Sequence, residues 1–549
     1  MIRIADLREL SEGRPMAANV AGVDLVVVRC GERVSAFQGL CPHQGTLLAE
    51  GTFDRGVLTC RGHGWRFDCQ SGARVDAPGM GLRTFATRIE GDAVLVDQDE
   101  LLGWQKLREQ SEPDQASLPG SRPLTQLPGP NGLPFFGNLL QLHLDALHLD
   151  LEGWARRYGP LYTFSIARKP VVAIAEPACI LATLRDRPGT YRRLGAIQVV
   201  NQELGIGGVF SAEGEDWRRQ RGLVTAGLDP QHVRRFFPTL TQIAERLRKR
   251  WAGLASNGCP IDVHQDLVRY TVDVTTNFVF DCDMNMLERG EEVFQRHLRQ
   301  ILPAINRRVN APFPYWRYCR LPSDRAVDQA VKALQGACRQ FIARARERLG
   351  MTPDHAGEPR NLLDSLLIAH DADHERLTGD EIFGNAITML LAGEDTTAHT
   401  LAWMIHFLSR HPDVQQRLRA EVDTVMGNDR TLQDSGQLDG LRYLYAVTYE
   451  TLRLKPAAPL LFLEPITNVT ISGVDIPAGM TLMLLMRFPS LQEQNFTDAE
   501  TFRPERWLLP RDTSIYPAHN RAVWMPFGGG RVFVRGVIWL GWKSKRPWL

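Results

Sequence analysis

Two textures lie side by side in this chain of 549 residues, and the break between them constrains the fold more than any single motif. Residues 1–103 are written as short β-prone runs separated by glycine-containing turns, among them "VDLVVVRC", "GVLTC" and "DAVLVDQ". Such runs predict a small all-β unit. Residues 104–126, "WQKLREQSEPDQASLPGSRPLTQ", are polar, hold three prolines and sustain no apolar period, which predicts an interdomain linker. From 127 to 549 the apolar spacing becomes helical, as in "PTLTQIAERLRKRWAGL", "AVDQAVKALQGACRQFIARARERL" and the run from Thr378 to Arg410. The expected chain is multidomain, a small all-β domain followed by a mainly-α one.

Charge narrows the function classes. Lys and Arg number 64 against 63 Asp and Glu, so no bulk field argues for nucleic acid or an acidic membrane. The opening "MIRIADLREL" mixes acids and bases, and no later stretch approaches an apolar span; the expectation is no signal peptide, no membrane span and a cytoplasmic protein. Nine cysteines, an odd number with no export signal, argue for thiols or metal ligands rather than a disulfide framework. All nine stand at or before Cys338.

Two short stretches in the β-prone part repeat one idea. "CPHQG" supplies Cys41 and His43, and "CRGHGW" supplies Cys60 and His63. A Rieske-type [2Fe–2S] centre needs two thiolates on one iron and two imidazoles on the other, and two loops each giving one Cys and one His meet that need. A structural zinc site, which usually puts paired cysteines before paired histidines, and chance placement on two loops are the competing readings. The run "CPHQGTLLAEGTFDRGVLTCRGHGWRFDCQSG" resembles bacterial Rieske ferredoxins and the Rieske domains of ring-hydroxylating oxygenases, over essentially all of 1–103. Neither loop carries the extra cysteines of the respiratory relatives, so the resemblance implies the low-potential ferredoxin branch. Cys30 and Cys69 read as structural.

The helical part carries a second constellation. "LAGEDTTAHT" lies inside a long helical pattern that opens with a capping box, Thr378 to Glu381. Asp and Thr prefer caps and turns to helix interiors, so Asp395 and Thr396 in mid-helix call for an explanation. A Thr396 hydroxyl bonded back to the preceding turn, or an Asp395 that faces solvent, is one; a functional pair is the other. Trp217 stands four residues before Arg221, placing both on one helical face. Glu450 and Arg453 form a Glu-x-x-Arg, a weak signal alone because Glu215, Glu245 and Glu500 begin the same pattern. "FRPERW" follows, with Arg506, and "FGGGR" comes near the end.

Taken in order with "LPGPNGLPFFGN", these features resemble the cytochrome P450 family of haem-thiolate monooxygenases over residues 127–536. The resemblance implies a mainly-α fold with minor β-sheets and bound haem b. It implies that Trp217 and Arg221 bond a haem propionate, that Asp395 and Thr396 manage protons for dioxygen, and that Glu450, Arg453 and Arg506 form a structural ion-pair knot. Its partners would be O2, an apolar small-molecule substrate and an NAD(P)H-dependent flavin reductase. No Gly-x-Gly-x-x-Gly fingerprint appears, so the reductase is expected on a separate chain.

One position departs from the family. Its pattern Phe-x-x-Gly-x-Arg-x-Cys-x-Gly, laid on Phe527, Gly530 and Gly536, puts the axial cysteine on Val534. Valine cannot ligate iron. Reading the codons from the third base of Arg531 permits Arg-x-Cys-Pro-Gly-Arg-Tyr-Leu, in register with the family, which suggests one lost nucleotide. Leu463 also stands where the family commonly has an arginine for the second propionate. The alternative function is then a Rieske electron-transfer protein carrying an inactive haem domain. A Rieske non-haem oxygenase is disfavoured: the His-x4-His pairs at His143/His148 and His406/His411 have Leu140 and Trp403 where an Asp or Asn belongs.

Overall fold

The structure is a computed structural model. It describes all residues except 13, 21–22, 32, 43–46, 55, 61–64, 76–80, 112–120, 229, 290–292, 312, 351–358, 373–377, 428, 430–431, 433–434, 509–519 and 529–549. The chain divides into two units, one comprising Met1–Tyr191, Pro459–Thr501 and Leu508–Leu549, the other Arg192–Ala458 and Phe502–Trp507.

In the first unit the β-prone start forms three antiparallel sheets. One joins Ile2–Asp6, Ala93–Val96 and Thr87–Glu90; a second orders Met16–Val20, Val23–Cys30, Arg33–Gln38 and Thr84–Phe85; the third joins Thr52–Asp54, Val57–Thr59 and Arg66–Asp68. The two-residue period of a strand explains why "VDLVVVRC" is apolar almost throughout. Leu25 and Val27 enter one core with Val94, Val96 and Phe85, whereas Val26 and Val28 enter another with Cys41, Cys60, Trp65 and Phe67. One strand thus holds two cores together.

A helix, α1 (Gln98–Ser111), begins where Asp97 accepts from the amide of Asp99 at 2.8 Å. Leu101 is fully buried, and Trp104 meets Phe85 edge-on at 5.4 Å. The stretch read as a linker therefore begins inside a helix anchored to the β core. At its other end Arg122–Pro123 pairs in parallel with Val474 and Asp475. Capping and two apolar anchors outweigh the polar composition.

The remainder of this unit centres on four paired strands in the order Leu161–Ile166, Lys169–Ile174, Thr481–Leu485 and Leu460–Pro465. Alternation again feeds two cores, Val172, Ile174, Leu482 and Leu484 on one face and Val171, Ala173, Met483 and Leu485 on the other. Leu463 is fully buried on the first face.

The second unit is helical. Its axis is the 32-residue helix α5 (Gly379–Arg410), and the helices that matter for the site are α2 (Gly214–Gly227), α3 (Val263–Phe280), α4 (Val293–Val309) and α6 (Arg442–Leu454). The capping box of α5 is closed in both directions: Thr378 Oγ1 accepts from the Glu381 amide at 3.2 Å, and Glu381 accepts from the Thr378 amide at 2.7 Å. Glycine inside a helix costs about 1 kcal/mol, and α5 contains two that its neighbours require. A Cβ on Gly393 would collide with the Thr275 side chain of α3, and one on Gly384 with the backbone of Gly207. Among the described residues no helix is long and apolar enough to cross a membrane.

Candidate functional site

The two cysteine loops are built alike at their bases. Leu40 and Leu47 form an antiparallel bridge around the stretch that starts at Cys41. Cys60 donates its amide to the Trp65 carbonyl at 2.7 Å, closing the hairpin between Val57–Thr59 and Arg66–Asp68. Both cysteines are buried, at 3% and 0% exposure, in the core lined by Val26, Val28 and Phe67. Arg74 lies over the Trp65 ring at 3.7 Å. His43 and His63 lie outside the described residues. Two thiols buried in one core, each leading into a tied loop whose sequence supplies a histidine, fit the donor set of a Rieske cluster.

In the helical unit, α2 is fastened to the start of α5 by residues the motif reading passed over. Arg219 donates from Nη2 and Nη1 to Glu381 at 2.5 and 3.1 Å, Gln220 donates to the same carboxylate at 2.9 Å, and Asn385 donates to Gln220 at 3.0 Å. Burial works against the Glu381 carboxylate, yet Arg219 and Thr378 hold it below its ordinary pKa. On the helix so fixed, Trp217 is buried and the Arg221 guanidinium lies 5.2 Å from its ring. The pair thus occupies one face of α2, as its spacing requires.

On α5, Ala392 and Thr396 lie one turn apart on an exposed strip, with Asp395 half-buried beside them. The Thr396 hydroxyl donates to the Ala392 carbonyl at 2.6 Å, and Thr400 donates to the Thr396 carbonyl at 2.8 Å. The back-bonded geometry therefore exists, in a position that leaves Thr396 open on the strip. An exposed strip carrying a hydroxyl beside a carboxylate, on the helix to which α2 is tied, fits the distal side of a haem. The Val534 position lies outside the described residues.

Glu450, Arg453 and Arg506 meet, and all three side chains are fully buried. Glu450 accepts from Arg453 at 2.9 and 2.8 Å, from Arg506 Nε at 3.0 Å, from the Arg503 amide at 2.9 Å and from Trp507 Nε1 at 2.9 Å. Trp507 and the Arg503 amide were not singled out from sequence, although "FRPERW" contains both.

Glu394 is the titratable residue that sequence reasoning missed. It is 3% exposed, and burial, reinforced by the charge of Asp395, pushes its pKa up to about 7. The signal was present: Leu390, Glu394 and Ala398 recur at intervals of four, so the apolar face of α5 includes a glutamate.

Comparison with known proteins adds to this geometry. Residues 127–532 match the family model of Cytochrome P450, and residues 1–86 match that of the Rieske [2Fe-2S] domain. Cytochrome P450 3A6 of Oryctolagus cuniculus is 26% identical over 420 residues, covering 74% of this chain and 80% of its own length. Lithocholate 6-beta-hydroxylase of Mesocricetus auratus is 28% identical over 416 residues, with the same coverages of 74% and 80%. A bifunctional cytochrome P450/NADPH–P450 reductase of Gibberella moniliformis is 28% identical over 421 residues, 74% of this chain and 36% of that protein.

Proposed function

The chain belongs to the cytochrome P450 family and carries a Rieske [2Fe–2S] domain in front of it, a monooxygenase joined to an electron-transfer domain; from that premise we propose that electrons from a separate NAD(P)H-dependent flavin reductase enter at residues 1–103 and support hydroxylation of an apolar substrate at 127–549. When bound, the cluster supplies single electrons and the haem activates dioxygen. Cys41 and Cys60 would hold one iron as thiolates, and His43 and His63 the other. Trp217 and Arg221 would anchor a haem propionate from the face of α2. Asp395 would deliver protons through the Thr396 hydroxyl to the exposed strip of α5, a general-acid role. Glu450, Arg453 and Arg506 would hold the scaffold and take no part in the chemistry. Fusion raises the effective concentration of donor at acceptor, and the Gibberella protein, named as a cytochrome P450 joined to its reductase, is another chain of this family with a covalent donor.

The observation that carries this reading is the placement of the two buried cysteines at the bases of tied loops, ahead of a chain matching the family through residue 532. For the chain as written, Val534 favours a second reading, a Rieske electron-transfer protein whose haem domain lacks its axial thiolate. The deciding experiment restores the frame at codon 531 and follows haem reduction by reductase in single turnover. Cys60→Ser should abolish the cluster's spectroscopic signal and slow haem reduction by at least tenfold, leaving haem content unchanged. Equal rates in the two chains would show that electrons bypass the cluster.

A further inference from the structure

Glu394 has no part in the function proposed above, and its surroundings are unusual. It sits two residues, about 200° of helix rotation, from both Ala392 and Thr396, so it faces away from the exposed strip. Helix α3 packs there, where the Thr271 hydroxyl donates to the Glu394 carbonyl at 3.0 Å. Helix α4 brings Gln295, 1% exposed, and Arg299 near the carboxyl group. The Gln295 side chain acts on the Glu394 carboxyl and lowers its pKa, yet no well-formed hydrogen bond closes the contact: Oε1 of Glu394 and both Oε1 and Nε2 of Gln295 stay buried outside hydrogen-bond geometry among the described residues. Leaving such an atom unsatisfied costs about 1–3 kcal/mol. A buried carboxyl and a buried amide that meet in poor geometry are groups that a single bridging species able both to donate and to accept would satisfy, which is water or a hydroxyl group.

We propose that Glu394 and Gln295 form a buried proton station that refills Asp395, its neighbour in sequence, through a water held between α4 and α5. In the transfer a proton leaves the Glu394 carboxyl and the Asp395 carboxylate takes it; no electrons move. The carboxylate left behind is stabilised by the Arg299 guanidinium and the Gln295 amide until solvent returns a proton. Asp395 and Arg299 are the charged groups that act on Glu394, and α3 contributes the Thr271 hydroxyl at its backbone carbonyl. Burial keeps the group close to half-protonated at neutral pH, the condition under which an acid both gives and regains a proton readily. The destination of the proton rests on the role given above to Asp395 and Thr396; the station itself does not.

The test uses the full chain as written. Infrared titration in H2O and D2O should show a protonated-carboxyl band that disappears with a midpoint near neutrality and is lost in Glu394→Gln. Asp395→Asn should move that midpoint to lower pH by removing a like charge, and Gln295→Leu should move it higher by removing a partner of the carboxylate. A missing neutral-range band, or a midpoint indifferent to Asp395→Asn, would overturn the proposal. In the frame-restored chain Glu394→Gln should lower kcat by roughly tenfold or more, with KM unchanged and a larger solvent isotope effect. An unchanged kcat there would remove the relay even if the titration stands. Failure of that chain to bind haem would overturn the functional reading and leave the infrared result intact.

Discussion

Two glutamates of the helical unit, Glu450 and Glu394, are buried to nearly the same degree and have opposite surroundings. Glu450 accepts five hydrogen bonds, from Arg453 twice, Arg506, the Arg503 amide and Trp507. Glu394 has an oxygen outside hydrogen-bond geometry among the described residues, and its pKa rises to about 7. A carboxylate removed from water survives as a charge when its lone pairs meet donors. Where donors are missing, burial drives the group toward its neutral form. The first arrangement fixes a scaffold; the second leaves a group that can change protonation state.

The comparison breaks most severely at the knot. Glu450→Ala leaves Arg453 and Arg506 buried without their acid, and should cost about 3–5 kcal/mol, read as a lower denaturant midpoint. A loss under about 1 kcal/mol would mean that the knot behaves like a surface pair. Next comes the pH dependence set by Glu394. Between the ordinary glutamate pKa and about 7 the native chain binds a proton that the unfolded chain does not. Its contribution is therefore fully present below the ordinary glutamate pKa and is lost progressively as pH rises from there through about 7, on the order of 3 kcal/mol in all. Glu394→Gln should remove that slope; an unchanged slope would assign it elsewhere, with Asp273 the first candidate because burial raises its pKa to about 6.

Smaller effects sharpen the contrast at the fastening of α2 to α5. Arg219→Ala removes charged hydrogen bonds to Glu381 and should cost about 1.5–3 kcal/mol, with weaker haem retention in the frame-restored chain because Trp217 and Arg221 ride on the same helix. Thr378→Ala removes one half of the capping box and should cost about 0.5–2 kcal/mol, without touching the cluster signal. A cap variant that lost as much as the knot variant would erase the distinction between a local end and a global anchor.

Much of this was legible in the sequence because the signals are local or ordered. The apolar run "VDLVVVRC" marked a strand, which the structure buries on both faces, and Thr378 with Glu381 marked the start of α5. Glu450, Arg453 and Arg506 were found by order along the chain, since 53 residues separate Arg453 from Arg506 and no local rule joins them. What escaped depends on which helix packs against which. Arg219 and Gln220 look like a solvated charged face until Glu381 and Asn385 are placed opposite them. Glu394 looks like half of an acid pair until α3 and α4 cover it. The helix over Gln98–Ser111 lay under a polar composition that Asp97, Leu101 and Trp104 override.

We propose that the chain descends from a haem-thiolate monooxygenase with its own Rieske donor and is written in a frame that omits the thiolate. The most direct measurement is the absorption spectrum of the reduced, carbon monoxide-treated protein, taken for the chain as written and for the chain with one nucleotide restored at codon 531. Both should carry the Rieske signature, and only the restored chain should show the shifted Soret band of a thiolate-ligated haem. A shifted band from the chain ending "VFVRGVIWLGWKSKRPWL", or none from either, would contradict it.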